Sequence, residues 1–169
     1  MSNELRESLR KLCEALNQNN VQCMLVGGVA VGFYGYERQS MVKDLGRPEL
    51  VHDIDFWYNP TITNFTNLVQ ALKTLGVDTE SLSDYVFDPN KTFLRIPFGT
   101  FRAEFLPNMP GLESFATCFK RAKRIKFDGN ELVIIGYDDL IVNKKTLGRD
   151  VDRQDIEQLQ KRNPRGPQP

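Results

Sequence analysis

The sequence predicts one α+β domain in which helices flank a small mixed β-sheet. Two observations carry this prediction: helix and strand patterns alternate along the first half of the chain, and two β-hairpin patterns follow in the second half. A chain of 169 residues is close to the usual size of a single domain. We assign that domain to residues 1–162 and expect residues 163–169 to form a frayed tail.

The first half of the chain alternates helix and strand signals. Leu5, Leu9 and Leu12 recur at helical spacing with charged residues between them, which predicts an amphipathic helix over residues 3–18. The elements expected after it are a strand at 21–26, a glycine-containing helix at about 29–36, a polar loop at 39–50, a strand at 51–58 and a helix at 61–74.

Two hairpins dominate the second half. The first pairs residues 92–97 with 100–106, and the second pairs 124–127 with 131–135 around Asp128-Gly129, a dipeptide typical of tight turns. The remaining expected elements are helices at 111–122, 137–147 and 151–161.

Composition excludes several classes of protein. Lys and Arg together number 22, as do Asp and Glu, which excludes a uniformly basic surface that coats nucleic acid but not a local basic patch. No apolar stretch is long enough to span a membrane, and the charged N-terminus is not a secretory signal. Cys13, Cys23 and Cys118 are widely spaced and form no CxxC motif. They indicate reduced thiols, and we expect a cytoplasmic protein that does not associate with membranes.

The strongest chemical motif is Asp53-Ile54-Asp55, inside the strand at 51–58. Because side chains alternate along a strand, Asp53 and Asp55 share one face, about 7 Å apart along the chain. Two adjacent carboxylates repel each other, and a divalent hard cation would compensate their charge. The alternative is an exposed edge strand with two solvated aspartates.

Gly27-Gly28 lies where a strand runs into a helix. Glycines at such a junction allow a phosphate to approach the backbone N–H groups of the helix N-terminus. The alternative is a tight turn without a ligand.

Glu104 is a third candidate acid. It alternates with Phe101, Ala103 and Phe105, so it shares a strand face with Arg102. If this strand lies beside the strand at 51–58, Glu104 completes a three-carboxylate cluster. The alternative is an ordinary surface pair between Arg102 and Glu104.

Together these motifs resemble those of the nucleotidyltransferase superfamily, whose minimal fold is that of polymerase β. The chain looks most like small bacterial proteins related to AbiEii-type toxins. In this resemblance Gly27-Gly28 matches the glycine motif, Asp53 and Asp55 match the acidic pair, and Glu104 stands where relatives commonly have Asp. The resemblance implies that these three acids are catalytic and hold one or two Mg²⁺ ions, with a nucleoside triphosphate (NTP) as substrate.

The resemblance also implies further nucleotide-binding residues. Arg38 and Ser40 match a Tyr-Gly-x-x-Arg-x-Thr motif of relatives, with serine in place of threonine and an insertion at 41–52 before Asp53. Lys144 lies in a helix that relatives end in a similar way, and it is expected near the triphosphate together with Gly27 and Gly28. The alternative for Lys144 is a solvated helix lysine.

The predicted function is transfer of a nucleoside monophosphate from an NTP to a hydroxyl of an acceptor. Residues 117–149 carry eight positive and four negative side chains, which suits an RNA acceptor such as tRNA or, alternatively, a solvated hairpin edge. A toxin of this kind would have an antitoxin protein as partner, and a second copy of the chain could complete the acceptor site. The alternative function is a catalytically inactive member of the same fold that binds a nucleotide or a partner.

Overall fold

A mixed β-sheet runs through the centre of the structure, a computed structural model that describes residues 1–38, 41–43, 50–83, 86–98 and 101–163. Its elements in chain order are α1 (Asn3–Gln18), β1 (Cys23–Val26), α2 (Gly27–Gly32), β2 (Met41–Lys43), β3 (Leu50–Tyr58), α3 (Ile62–Thr74), α4 (Glu80–Ser83), β4 (Leu94–Phe98), β5 (Phe101–Leu106), α5 (Phe115–Lys120), β6 (Lys123–Phe127), β7 (Asn130–Ile134), α6 (Tyr137–Leu147) and α7 (Asp150–Arg162).

The strand order is β4-β5-β3-β1-β7-β6, and β2 pairs with β3 outside this path. The pairs β3–β5 and β1–β7 are parallel, whereas the pairs β1–β3, β2–β3, β4–β5 and β6–β7 are antiparallel. The predicted α+β class with a mixed sheet flanked by helices is therefore confirmed. Among the described residues, no helix is both long and apolar enough to cross a lipid bilayer.

The core forms because the apolar faces of the strands and of the helices pack against each other. Ile54 and Phe56 of β3 are buried on the face opposite Asp53 and Asp55. Helix α1 begins at Asn3 and is capped by Ser2, whose hydroxyl accepts a hydrogen bond from the Leu5 N–H. Its buried leucine stripe faces β7 and α3. One face of β3 therefore packs in the core, and the other face carries Asp53 and Asp55.

Three predicted elements differ from the structure by three or more residues, and α4 has no counterpart in the prediction. The helix expected at 29–36 is α2, which begins at Gly27 and ends at Gly32. The loop expected at 39–50 is wrong at Met41–Lys43, because pairing with the backbone of β3 makes a strand of a segment with no strand pattern. The helix expected at 111–122 covers only Phe115–Lys120, since Ser114 caps it there and Gly111, with a φ of +78°, precedes it.

The end of the domain is held by contacts that the sequence did not predict. Asn163, the first residue of the expected tail, follows α7 and donates from Nδ2 to the Tyr34 carbonyl at 2.9 Å. Residues 164–169 lie outside the described residues.

A buried charge network joins α6 to α7. Lys144 Nζ lies 2.7 Å from Asp155 Oδ2 and 3.3 Å from Asp152 Oδ1, and all three side chains are almost fully buried. Arg38 makes a two-point contact with Asp155, with distances of 2.7 and 2.9 Å. Arg149 makes a similar contact with Asp152, at 2.7 and 3.1 Å. Three cations therefore surround two carboxylates, and every carboxylate oxygen is satisfied.

Asp155→Ala should lower the free energy of unfolding by about 3–5 kcal/mol, because it leaves buried Lys144 without its nearest anion. Glu157→Ala, on the same helix but in an exposed pair with Lys161, is the matched control and should change stability little. Urea unfolding of both variants measures the difference. Equal effects would show that the network does not stabilise the α6–α7 junction.

Candidate active site

The parallel register of β3 and β5 brings three acids together. Asp55 is the register partner of Glu104, and Asp53 is the partner of Arg102. One carboxylate oxygen from each of Asp53, Asp55 and Glu104 lies within 4.8 Å of the others. The strand that carries Glu104 therefore does lie beside β3, and the three predicted acids form one cluster, named here the acidic triad.

Two arginines neutralise part of the acidic triad. Arg102 Nε lies 3.1 Å from Asp53 Oδ1, and Arg102 Nη2 lies 3.0 Å from Glu104 Oε1. Arg95, on β4, donates from Nε to the same Glu104 oxygen at 2.7 Å. The two arginines differ in exposure: the side chain of Arg102 is 11% exposed, whereas that of Arg95 is 52% exposed. The pairing of Arg102 with Glu104, an alternative raised by the sequence, is thus present alongside the carboxylate cluster.

Asp55 is the least compensated member of the triad. No described side chain donates a hydrogen bond to it, and burial together with the charges of Asp53 and Glu104 raises its pKa to about 7. Burial and the charge of Glu104 also raise the pKa of Asp53, although Arg102 opposes this. Three carboxylates in one place, all offering hard oxygen ligands, fit the requirements of Mg²⁺.

The glycine motif lies against the triad. Val26 is the register partner of Asp55, so the chain turns into α2 directly beside that carboxylate. Gly27 has a φ of +65°, and a Cβ on it would lie 2.1 Å from Asp55 Oδ2. Only glycine fits this backbone and leaves Asp55 in place. Gly28, the next residue, is buried within α2.

A cleft of about 480 Å³ contains the triad. Its floor carries the acids, Arg95, Arg102 and Gly27, and Lys144 and Arg149 line it as well. A less polar part of its wall is formed by Leu106, Met109, Pro110 and Leu147. Because Asn143 donates from Nδ2 to the Pro110 carbonyl at 3.0 Å, the segment that forms this wall is tied to α6.

Of the other predicted nucleotide-binding residues, Lys144, Arg38 and Ser40, the two that the structure describes do not share one position relative to the cleft. Lys144 lines the cleft, but its ammonium group is held by Asp152 and Asp155 and is not solvated as the alternative interpretation had it. Arg38 points its Nε and Nη2 at Asp155. Ser40 lies outside the described residues.

Sequence reasoning missed Arg95 because the predicted register of the first hairpin is shifted. In a hairpin that pairs 92–97 with 100–106, opposed residue numbers add to 197, which places Phe93 opposite Glu104. In the structure they add to 199, as for Phe98 and Phe101, so Arg95 lies opposite Glu104. Arg149 carried no signal, because its position depends on how α6 and α7 pack.

Two solved structures have folds similar to this one. The solution structure of the antibiotic-resistance factor ANT(2″)-Ia is 15% identical, with a TM-score of 0.57 over 95% of this chain and 85% of that chain. The crystal structure of a Thermotoga maritima protein assigned as a nucleotidyltransferase is 14% identical, with a TM-score of 0.56 over 98% of this chain and 96% of that chain. At these identities the likeness concerns the fold, which is nucleotidyltransferase-like as predicted. No curated protein matches the sequence.

The family is shown by the sequence itself. A family profile matches residues 5–167, which includes all three acids of the triad and the described elements of the fold except the first two residues of α1. The chain therefore belongs to the family described as nucleotidyl transferase of unknown function (DUF2204).

Proposed function

We propose that this protein transfers a nucleoside monophosphate from an NTP to a hydroxyl of an acceptor and releases pyrophosphate. Membership of a nucleotidyltransferase family supports nucleotidyl transfer as the activity. The observation that carries the proposal is the acidic triad, whose three carboxylate oxygens lie within 4.8 Å of one another in an open cleft.

Asp53, Asp55 and Glu104 would hold one or two Mg²⁺ ions. When bound, Mg²⁺ would offset the charge of the triphosphate and orient its reacting phosphate. Glu104 alternatively accepts the proton of the attacking hydroxyl. The backbone N–H groups at Gly27 and Gly28 would contact phosphate oxygens, since no side chain separates this backbone from Asp55.

The positive residues at the edge of the cleft would act mainly by charge and position. Lys144 would place a fixed positive charge at the cleft wall, held there by Asp152 and Asp155. Arg38 would contribute through Asp155, which it shares with Lys144. Ser40 keeps its proposed role in nucleotide binding on the resemblance alone.

An RNA acceptor, tRNA among them, and an antitoxin partner are proposed from the resemblance to AbiEii-type proteins. The positive segment at 117–149 gives this less support than its composition suggests. Four of its eight cations are engaged with carboxylates: Arg121, Arg124, Lys144 and Arg149. The acceptor is therefore best identified by experiment on the transferred label.

A cytoplasmic location is proposed from the thiols. Cys13, Cys23 and Cys118 are free, and burial is the main cause that raises the pKa of each. Such thiols are poor nucleophiles and serve as small core residues.

One observation favours a second candidate function, nucleotide binding without transfer. Arg102 and Arg95 contact Asp53 Oδ1 and Glu104 Oε1, one oxygen from each of two carboxylates that would hold the metal. If those contacts persist with nucleotide present, the protein binds a nucleotide or a partner without transfer.

Transfer is tested by incubating the protein with an NTP labelled in either the α- or the γ-phosphate, with Mg²⁺ and fractionated cell RNA, protein or metabolites. The α-label should become attached to one fraction, and the γ-label should appear in pyrophosphate. Asp53→Asn should reduce the attached label by at least about 100-fold. Nucleotide binding with no transfer to any fraction would favour the second candidate function.

Asp55→Asn should abolish transfer and yet stabilise the metal-free protein. The folded-state pKa of Asp55, about 7, lies above its unfolded value, so its ionisation destabilises the folded state increasingly as the pH rises from about 4 to about 7, and the effect levels off above that pH. The variant should therefore gain roughly 1–3 kcal/mol at pH 8 and little at pH 4. Thermal melts with EDTA across this pH range measure the gain.

Asp53→Asn is the matched comparison in those melts. It removes a carboxylate that accepts a hydrogen bond from Arg102, so the gain at pH 8 should be smaller or absent. A loss of stability in Asp55→Asn at pH 8 would contradict this account of the triad.

Gly27→Ala should impair divalent-cation binding beyond its effect on stability. An alanine at a positive φ costs about 1–2 kcal/mol, and here its Cβ would also displace the Asp55 carboxylate. Gly76→Ala is the matched control, because Gly76 has a φ of +79° and no atom within 4 Å of the added Cβ. Both variants should lose similar stability from strain, but only Gly27→Ala should weaken Mn²⁺ binding. Equal Mn²⁺ affinities in the two variants would show that Gly27 does not contribute to the cation site.

A further inference from the structure

We propose that Arg102 is a nucleotide-phosphate-binding residue that the free protein keeps in place by pairing it with Asp53 and Glu104. This inference rests on the proposed function and assigns a substrate contact within the same site. In the free protein Arg102 holds the two carboxylates. When they hold a divalent cation, its guanidinium group turns to the triphosphate.

Arg102 and a divalent cation compete for the same carboxylates. Arg102 reaches Asp53 Oδ1 at 3.1 Å and Glu104 Oε1 at 3.0 Å, so one guanidinium group bridges two members of the triad. A divalent cation between the same carboxylates would bring two like charges together. The cation and the present position of the guanidinium group are therefore electrostatically opposed.

Once a divalent cation displaces it from Asp53 and Glu104, Arg102 needs another anion. Its side chain is only 11% exposed, and a buried charge without a partner is strongly destabilising. Among the described residues that line the cleft, the carboxylates are those of the triad itself. The replacement anion must then arrive with the substrate, and a triphosphate matches the planar two-point donor geometry of a guanidinium group.

Arg95 provides an internal comparison. Among the described carboxylates it pairs with Glu104, its guanidinium group also lies 5.4 Å from the centroid of the Phe93 ring, and its side chain is 52% exposed. Displacement from Glu104 would return it to water at little cost, so nothing in its surroundings requires a phosphate partner. The inference therefore assigns the phosphate contact to Arg102 and not to Arg95.

The test measures binding of the cation and of the nucleotide separately. Mn²⁺ alone is titrated into full-length protein by electron paramagnetic resonance, and ATP, GTP, CTP and UTP are titrated with Mg²⁺ by calorimetry. Arg102→Gln should bind Mn²⁺ about tenfold more tightly, since a competing cation is gone, and its preferred NTP at least about tenfold more weakly. Arg102→Lys should restore the competition with Mn²⁺ but recover only part of the NTP affinity, because it keeps the charge without the planar fork.

Two control variants sharpen the test. Arg95→Gln should bind Mn²⁺ slightly more tightly and leave NTP affinity nearly unchanged. Arg124→Gln, which removes a surface pair between Arg124 of β6 and Glu131 of β7, should change neither. A merely structural role for Arg102 would weaken both kinds of binding together, so shifts in opposite directions are the signature of the proposal.

Each outcome decides a separate claim. If wild-type protein binds Mn²⁺ and an NTP but Arg102→Gln shifts neither affinity, or shifts both in one direction, this inference is overturned and the proposed function stands. If wild-type protein binds neither ligand, the proposed function and the inference both fail. If Arg102→Gln does not fold, Arg102→Lys carries the test, and full NTP affinity in that variant would overturn the inference.

Discussion

The parallel pairing of β3 with β5 is the constraint on which the site depends. Its register places Asp55 beside Glu104, and Asp53 lies two residues before Asp55 on the same face of β3. Since the opposite face of β3 is buried in the core, the acids cannot turn elsewhere. Repulsion among them is therefore built into the fold, and the neighbouring features respond to it. Gly27 leaves room for Asp55, and Arg102 bridges the other two acids.

The molecule contains two charge clusters with opposite balances. In the network between α6 and α7, three cations surround two fully buried aspartates, and each aspartate oxygen has a partner. In the acidic triad, three carboxylates meet two arginines, and the pKa of Asp55 is raised to about 7. The first cluster is complete and serves to fix the helices that line the cleft. The second lacks positive charge, as expected of a site that takes up a cation.

The fold and the triad were largely predictable because both follow from local alternation. One strand carries carboxylates at alternate positions, and a second carries Arg102 and Glu104 at alternate positions. Together they limited the arrangements that could bury the intervening apolar residues. The bounds predicted for α6 agree with the structure, since Gly148 adopts the left-handed conformation that ends a helix. Glu104 could be placed only conditionally, because the sequence does not state which strands are neighbours.

Features that depend on long-range packing were not predictable. The strand β2 has no pattern of its own and forms through pairing with β3. Lys144 looked like a solvated or phosphate-binding lysine, whereas its partners Asp152 and Asp155 come from the next helix. Asp155 also pairs with Arg38, which is far away in the chain. A helix periodicity identifies which residues share a face. It does not identify which charges on that face will be buried together.

The most direct test of the account is a crystal structure of the protein with Mn²⁺ and a non-hydrolysable analogue of the NTP it binds most tightly. The account predicts an anomalous Mn²⁺ peak coordinated by oxygens of Asp53, Asp55 and Glu104, with the triphosphate in the same cleft. A Mn²⁺ ion bound elsewhere would contradict it, and so would a nucleotide bound while Arg95 and Arg102 still pair with Asp53 and Glu104.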